Sequence, residues 1–315
     1  MSSRTKRRRQ KQQPRTIQRP TQGTRTLPRS WLLYGAAAAG LAALAVALPL
    51  AVFSGGGKKA PQAAAGLPDT PDYHSLLVSP TDPQQLVLGT HGGLYVSSDG
   101  GRHWRFDALA GNDAMNLARP GGKTVWLAGH DAFKKSTDGG ASWRDVRPTG
   151  LPSLDIHGFA VSPREPRLLY AAVAGRGLYR SRDGGRSFSL ASSRVGGNVM
   201  ALAVFPDGRI LAGDMQQGLV ESADGGAHWK RRLQAQLLGL ALNPRDPKRL
   251  LAGGAGIALS TDGGRSWRSV LNLPQGVGPL AWSPTNPRLA YAVALNRVFY
   301  RSDDAGESWH AVEAG

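Results

Sequence analysis

The octapeptide STDGGRSW, residues 260–267, decides how the chain is read, because near-copies of it occur six times. They are SSDGGRHW (97–104), STDGGASW (136–143), SRDGGRSF (181–188), SADGGAHW (222–229), STDGGRSW (260–267) and SDDAGESW (302–309). Their first residues lie 39, 45, 41, 38 and 42 apart. A period near 40 residues, filled with strand-like segments, predicts one β-propeller blade per copy.

Each unit starts with an apolar run that ends in a turn, as in LLVSPTDPQQLVLG, FAVSPREPRLLYAA, LALNPRDPKRLLAG and LAWSPTNPRLAYAV; two units use the shorter turns RPGGK and FPDGR. A third strand such as GLYVSS or GLYRSR follows, then the octapeptide and a fourth strand. Four strands joined by tight turns make one blade. Residues 72–315 therefore read as an all-β, six-bladed propeller of four-stranded antiparallel blades, entered at HSLLVSP and left just after WHAV, so that the ring closes blade against blade without a shared strand. Glycine (41) and proline (21) are abundant, and no long apolar period of 3.6 residues runs through this part.

Within the octapeptide, a carboxylate two residues after Ser97, Ser136, Ser181, Ser222, Ser260 or Ser302 sits over the turn and accepts backbone N–H groups, while the glycines supply positive φ. Asp99, Asp138, Asp183, Asp224, Asp262 and Asp304 are thus turn staples, and Trp104, Trp143, Phe188, Trp229, Trp267 and Trp309 return to the hydrophobic layer. Six equivalent acids would make an odd active site. The pattern resembles the Asp-box, or BNR, repeat (S-x-D-x-G-x-x-W) of sialidases, sortilin-type receptors, xyloglucan hydrolases and YCF48-like photosystem II assembly factors. Phe188 replaces the usual Trp, and Ala305 stands at a glycine position that the motif leaves free. The resemblance implies that the box is structural and lies away from any active centre.

The net charge of +17 is concentrated at one end. Residues 1–30 hold ten Lys/Arg and no acid, whereas residues 72–315 hold 27 basic against 21 acidic groups. The tail has almost no apolar residue to pack and no interleaved aromatic residues, which predicts a disordered cytoplasmic segment near anionic lipid headgroups and argues against a nucleic-acid partner. WLLYGAAAAGLAALAVALPLAVF (31–53) has no charge over 23 residues. As a helix it would reach about 35 Å, enough to cross a hydrocarbon core of roughly 30 Å. The expectation is one transmembrane anchor with the N-terminus cytoplasmic and the propeller extracytoplasmic, periplasmic or on the cell surface. A cleaved signal is the alternative, since AAAG (63–66) offers a cleavage site, but the apolar run is longer than usual for one. Residues 54–71 have linker composition. Cysteine is absent, which excludes disulfides, thiolate catalysis and a lipoprotein anchor.

In a blade, turns 1–2 and 3–4 emerge on one face, and turn 2–3 and the link to the next blade on the other. Counting six back from each box serine puts His91, His130, Gly175, Gln216, Gly254 and Asn296 in the 2–3 loops, followed by Asp131, Arg176, Gln217 and Arg297 in four of them. The links add His74, Asp113, Asp155 and His157 among others, and Asp214 precedes one loop. This polar rim is the candidate surface for a protein or carbohydrate partner. No H-x-x-H or E-x-x-H spacing supports a metal at the four histidines, so neither metal nor cofactor is expected.

A catalytic role is weighed against what it needs. The sialidase resemblance would require an Arg-Ile-Pro signature, which does not occur. Tyr95, Tyr179 and Tyr300 occupy one repeat position, as do Tyr170 and Tyr291, which marks them as packing residues. Asp113 with Asp155, or Asp131 with Asp214, are the carboxylate pairs a glycosidase would draw on. Xyloglucan hydrolases use two large propellers, and one is legible here. The reading preferred is a membrane-anchored, non-catalytic binding, scaffolding or assembly module, with a cell-surface glycoside hydrolase as the alternative.

Overall fold

The computed structural model describes residues 64–314; the basic tail, the apolar stretch 31–53 and the linker as far as residue 63 lie outside the described residues. Among the described residues no helix is long and apolar enough to cross a membrane. They form six antiparallel sheets, at 75–108, 116–145, 156–192, 199–233, 239–272 and 277–311, each built from four strands consecutive in the chain.

Burial follows strand position. The second strands Leu169–Val173, Ile210–Asp214 and Ala290–Ala294 are buried at every residue, because neighbouring blades cover both faces of a middle strand. Outer strands are polar instead, as in Lys230–Leu233 and Arg144–Asp145, which blunts the exposed sheet edge. The first strands line the axis, and each touches its neighbours from Ser75–Val78 round to Val277–Trp282, which meets Ser75–Val78 again.

Closure is by side chains. Trp104, 1% exposed, sets its ring edge-on to Phe299 of the last blade, with centroids 5.6 Å apart. Phe299 stacks on Tyr291, whose hydroxyl donates to Pro83 O at 3.0 Å across the same seam. Among the described residues no strand is shared between the first and last blades. One short strand is added at the rim: Ala64–Ala65 pairs with His103 and Trp104 as a fifth strand of blade one. The end of the stretch read as linker also follows the propeller, with the Tyr73 hydroxyl donating to Pro68 O and Arg297 paired with Asp69 at 2.8 Å.

All six octapeptides share one hydrogen-bond pattern. The serine hydroxyl donates to the Asp Oδ1 and accepts the N–H four residues on, as at Ser181, Asp183 and Gly185. The same Oδ1 accepts the N–H of the seventh residue in every copy. The seventh side chain, Ser or His throughout, bonds the other carboxylate oxygen. These bonds hold the Asp262 carboxyl down at about 2 against a smaller opposing pull from burial on the whole, although burial is its largest single influence. Ala305 has φ +66°, so it occupies the left-handed conformation that its five glycine counterparts take without strain. The next glycine does a second job: a Cβ on Gly101 would lie 2.2 Å from the Phe299 ring, and one on Gly185 2.8 Å from Trp126 of the preceding blade. The box therefore staples its own hairpin and seats the neighbouring blade.

Backbone bonds fix which loops share a face. Box residues Gly100, Gly139, Gly184, Gly263 and Ala305 donate to the 1–2 turn of their own blade, at Gln84, Lys123, Arg167, Lys248 and Arg288. On the opposite face the links bond the 2–3 loops, for example Ala114 N to Thr90 O and Met215 N to Asn198 O.

Candidate functional site

On that opposite face, His74, His91, His130 and His157 come together with Asp72, Asp113 and Asp155 in one arc over blades one to three. Local geometry explains how they are presented. Thr90 closes the tip of its hairpin by donating to Gly93 O and accepting Gly92 N–H, which leaves His91 facing the axis side, where its N–H donates to Asp72 Oδ1. Gly129 lets the link carrying Asp113 approach, since a Cβ there would lie 2.2 Å from Asp113 O. Ser75 Oγ anchors the same link through Ala114 O at 2.7 Å.

The side chains form a continuous chain of contacts. His74 Nε2 lies 3.1 Å from Asp72 Oδ1 and 2.8 Å from His91 Nδ1, and His91 Nδ1 also contacts Asp72 Oδ2. His91 Nε2 is 3.5 Å from Asp113 Oδ2, which bonds His130 Nδ1 as well. His130 Nε2 is 3.1 Å from His157 Nε2, and Asp155 Oδ1 lies 3.3 Å and 3.0 Å from the two. The His91 and His130 rings stack with centroids 5.7 Å apart. Asp113 is only 7% exposed, and its Oδ1 and that of Asp155 are buried with no hydrogen-bond partner.

Electrostatics follow from these contacts. Burial pushes the Asp72 carboxyl up, but the bonds from His74 and His91 outweigh it and hold the group well below the usual carboxylate range. The Asp72 hydrogen bond raises His91, and the Asp113 hydrogen bond raises His130. Burial lowers His157 in spite of Asp155.

The other predicted rim residues are placed differently. Asp131, Arg176, Gln216, Asn296 and Arg297 are exposed at loop tips. Asp214 is 2% exposed and turned inward, where its Oδ1 accepts the N–H groups of Gln216 and Gln217, so it closes its own loop and does not pair with Asp131 as an acid. Gln217 Nε2 donates to Arg194 O. Asp72 was missed by the sequence reading, which stopped at the apolar strand. The signal for it was repeat register: Asp72, Asp113 and Asp155 each stand before one of three successive first strands, with His74, Met115 and His157 two residues on. Three groups in the arc have the composition to hold a metal ion: Asp72, His74 and His91; His91, Asp113 and His130; His130, Asp155 and His157.

Six four-stranded sheets around a common axis, with the arc on one rim, define a six-bladed β-propeller with an axial His/Asp surface. Its neighbours among known proteins include members of two propeller families. A photosystem II assembly lipoprotein, Ycf48 of Synechococcus sp. (strain CC9902), is 26% identical over 257 residues, covering 76% of this chain and 75% of that one. A xyloglucanase of Paenibacillus sp. is 29% identical over 241 residues, covering 72% of this chain but only 19% of the enzyme. Among solved structures, a YCF48 bound to D1 peptide superposes with a TM-score of 0.51 at 20% identity, over 79% of this chain and 83% of that chain. The GH74 xyloglucanase from Xanthomonas campestris gives 0.57 at 17% identity, over 81% of this chain and 46% of the enzyme. No family model matches the chain.

Proposed function

We propose that the chain is a non-catalytic binding and assembly propeller, tethered to a membrane through residues 31–53 with the propeller on the extracytoplasmic side, and that its 2–3 loop face receives a protein partner. The observation that carries the reading is the state of the rim carboxylates. Asp72 and Asp113 are bound by imidazoles, Asp155 lies against His130 and His157, and Asp214 is taken up by its own turn. Glycoside hydrolysis needs one carboxyl kept protonated by its surroundings beside a second that is ionised. Asp72, whose surroundings hold it down, is tuned the other way. Likeness to an assembly factor over three quarters of that protein, and the peptide-bound YCF48 structure, support a protein as the partner class.

The test is capture from intact membranes by the full chain. Wild type and a box-face variant, Arg186→Glu, are expected to retain the same membrane protein, and the loop-tip variant Asp131→Lys/Arg176→Glu to lose it. Equal capture by the loop-tip variant, or release of sugar from a glycan panel by the wild type, would favour the xyloglucanase-like alternative and overturn this one.

A further inference from the structure

We infer that the His/Asp arc binds two divalent late first-row cations of the zinc class, one held by Asp72, His74 and His91 and the other by His130, Asp155 and His157, with Asp113 between them as the shared partner of the two inner imidazoles. Around an ion with bonds of about 2.0–2.1 Å, tetrahedral ligand atoms lie about 3.3 Å apart. The atoms His130 Nε2, His157 Nε2 and Asp155 Oδ1 are separated by 3.1, 3.3 and 3.0 Å. In the other group His74 Nε2 stands 2.8 Å from His91 Nδ1 and 3.1 Å from Asp72 Oδ1. The second triad therefore presents three donor atoms at the spacing of one face of such a tetrahedron, and the first gathers its three around His74 Nε2 with His91 Nδ1 and Asp72 in direct contact; in each the fourth position is left for water or a donor from a docked partner.

Hydrogen bonding alone does not account for the arrangement. A proton shared between the two Nε2 atoms of His130 and His157 is not available to Asp155 Oδ1, which lies 3.3 and 3.0 Å from them. Asp113, 7% exposed, is faced by three of the imidazoles, its Oδ2 by His91 and His130 and its Oδ1 by His74 Nε2 at 3.9 Å. An ionised carboxylate so placed is costly unless positive charge lies close by. Two dications supply that charge beside three aspartates.

The ring nitrogens also decide the number of ions. His91 offers Nδ1 to the first triad and Nε2 to Asp113, whereas His130 offers Nε2 to the second triad and Nδ1 to Asp113. A neutral imidazole can give one nitrogen to a metal and the N–H of the other to a carboxylate, which orients the ring and raises its basicity. Asp113 serves both rings in this way. A third ion between His91 and His130 would take the nitrogens that those N–H groups need, so the middle group is the bridge and the outer two are the sites. Imidazole with carboxylate suits zinc, cobalt or nickel rather than calcium or magnesium, which take oxygen.

The experiment uses the full chain purified without a polyhistidine tag, stripped with chelator and titrated with Co²⁺ and then Zn²⁺, with bound metal counted by elemental analysis after equilibrium dialysis. Two ions per chain are expected, with the visible band of tetrahedral Co²⁺ lost as Zn²⁺ displaces it. His74→Gln and His157→Gln should each retain one ion and the double variant none, whereas Asp113→Asn should retain two, bound about 10–100-fold more weakly. Circular dichroism in chelator checks that each variant is folded; the cobalt band and its displacement, read on the unaltered chain, need no variant. Fewer than two ions on the wild type, a cobalt spectrum without the tetrahedral band, or undiminished binding by the double variant would each overturn the assignment.

Discussion

Trp104→Ala tests how the ring is closed. Trp104 is 1% exposed, packs against Phe299 of the last blade, and donates its Nε1–H to Gly101 O at 2.9 Å. Removing a buried Trp side chain costs about 3–5 kcal/mol when the site cannot collapse. Here collapse is resisted, since Phe299 is held by Tyr291 and Tyr291 by Pro83 across the seam. A loss of about 4 kcal/mol is therefore expected, which for a domain of this size lowers the midpoint of thermal unfolding by about 8–16 °C. Trp143 is an internal control, being the same box residue in blade two but partly exposed and without a partner for its Nε1. Trp143→Ala should cost about 1–2 kcal/mol. Urea unfolding followed by circular dichroism measures both. Equal losses in the two variants, or a loss below about 1 kcal/mol for Trp104→Ala, would refute closure by side-chain packing at this seam.

Three further outcomes follow from the boxes and the seam. Ala305→Gly should stabilise by about 0.5–1 kcal/mol, because relief of the left-handed alanine exceeds the entropy that glycine adds to the unfolded chain; a lower urea midpoint would contradict this. Tyr291→Phe removes the bond to Pro83 O and should cost about 1 kcal/mol with no change in the circular dichroism spectrum. Box carboxylates held below their ordinary values contribute stability that is complete above about pH 4 and is lost as pH falls through their folded values, about 2 for Asp262. An acid titration should therefore show the midpoint of thermal unfolding falling below about pH 4, and in Asp262→Asn that fall should be shallower.

The octapeptide made the architecture legible because the features it needs are local. Ser260, Asp262, Gly264 and Trp267 interact within eight residues, and a spacing near 40 then fixes blade number and the face on which each loop emerges. The inter-blade role of the second glycine was not legible, since it depends on Phe299 or Trp126 in another repeat. The same reason hid the contacts within the site. His74 and His91 are 17 residues apart and Asp72 and Asp113 41 apart, so no linear ligand spacing joins them; they meet because equivalent positions of adjacent blades converge on the axis. Register across repeats was the usable signal: it put His91 and His130 at equivalent loop positions and raised the convergence of the four histidines, which no linear ligand spacing supported. Asp214 shows the opposite limit, since a polar residue in a loop tip looks available for binding until its carboxylate is found capping the loop that carries it.

The central claim is that function resides on the 2–3 loop face and the boxes hold the scaffold. Site-specific photocrosslinking in intact membranes tests it most directly, with the reactive side chain placed at Asp131 on the loop face in one sample and at Arg186 on the box face in another. A defined adduct from position 131 and none from position 186 is the predicted result; an adduct from position 186 alone would contradict the account.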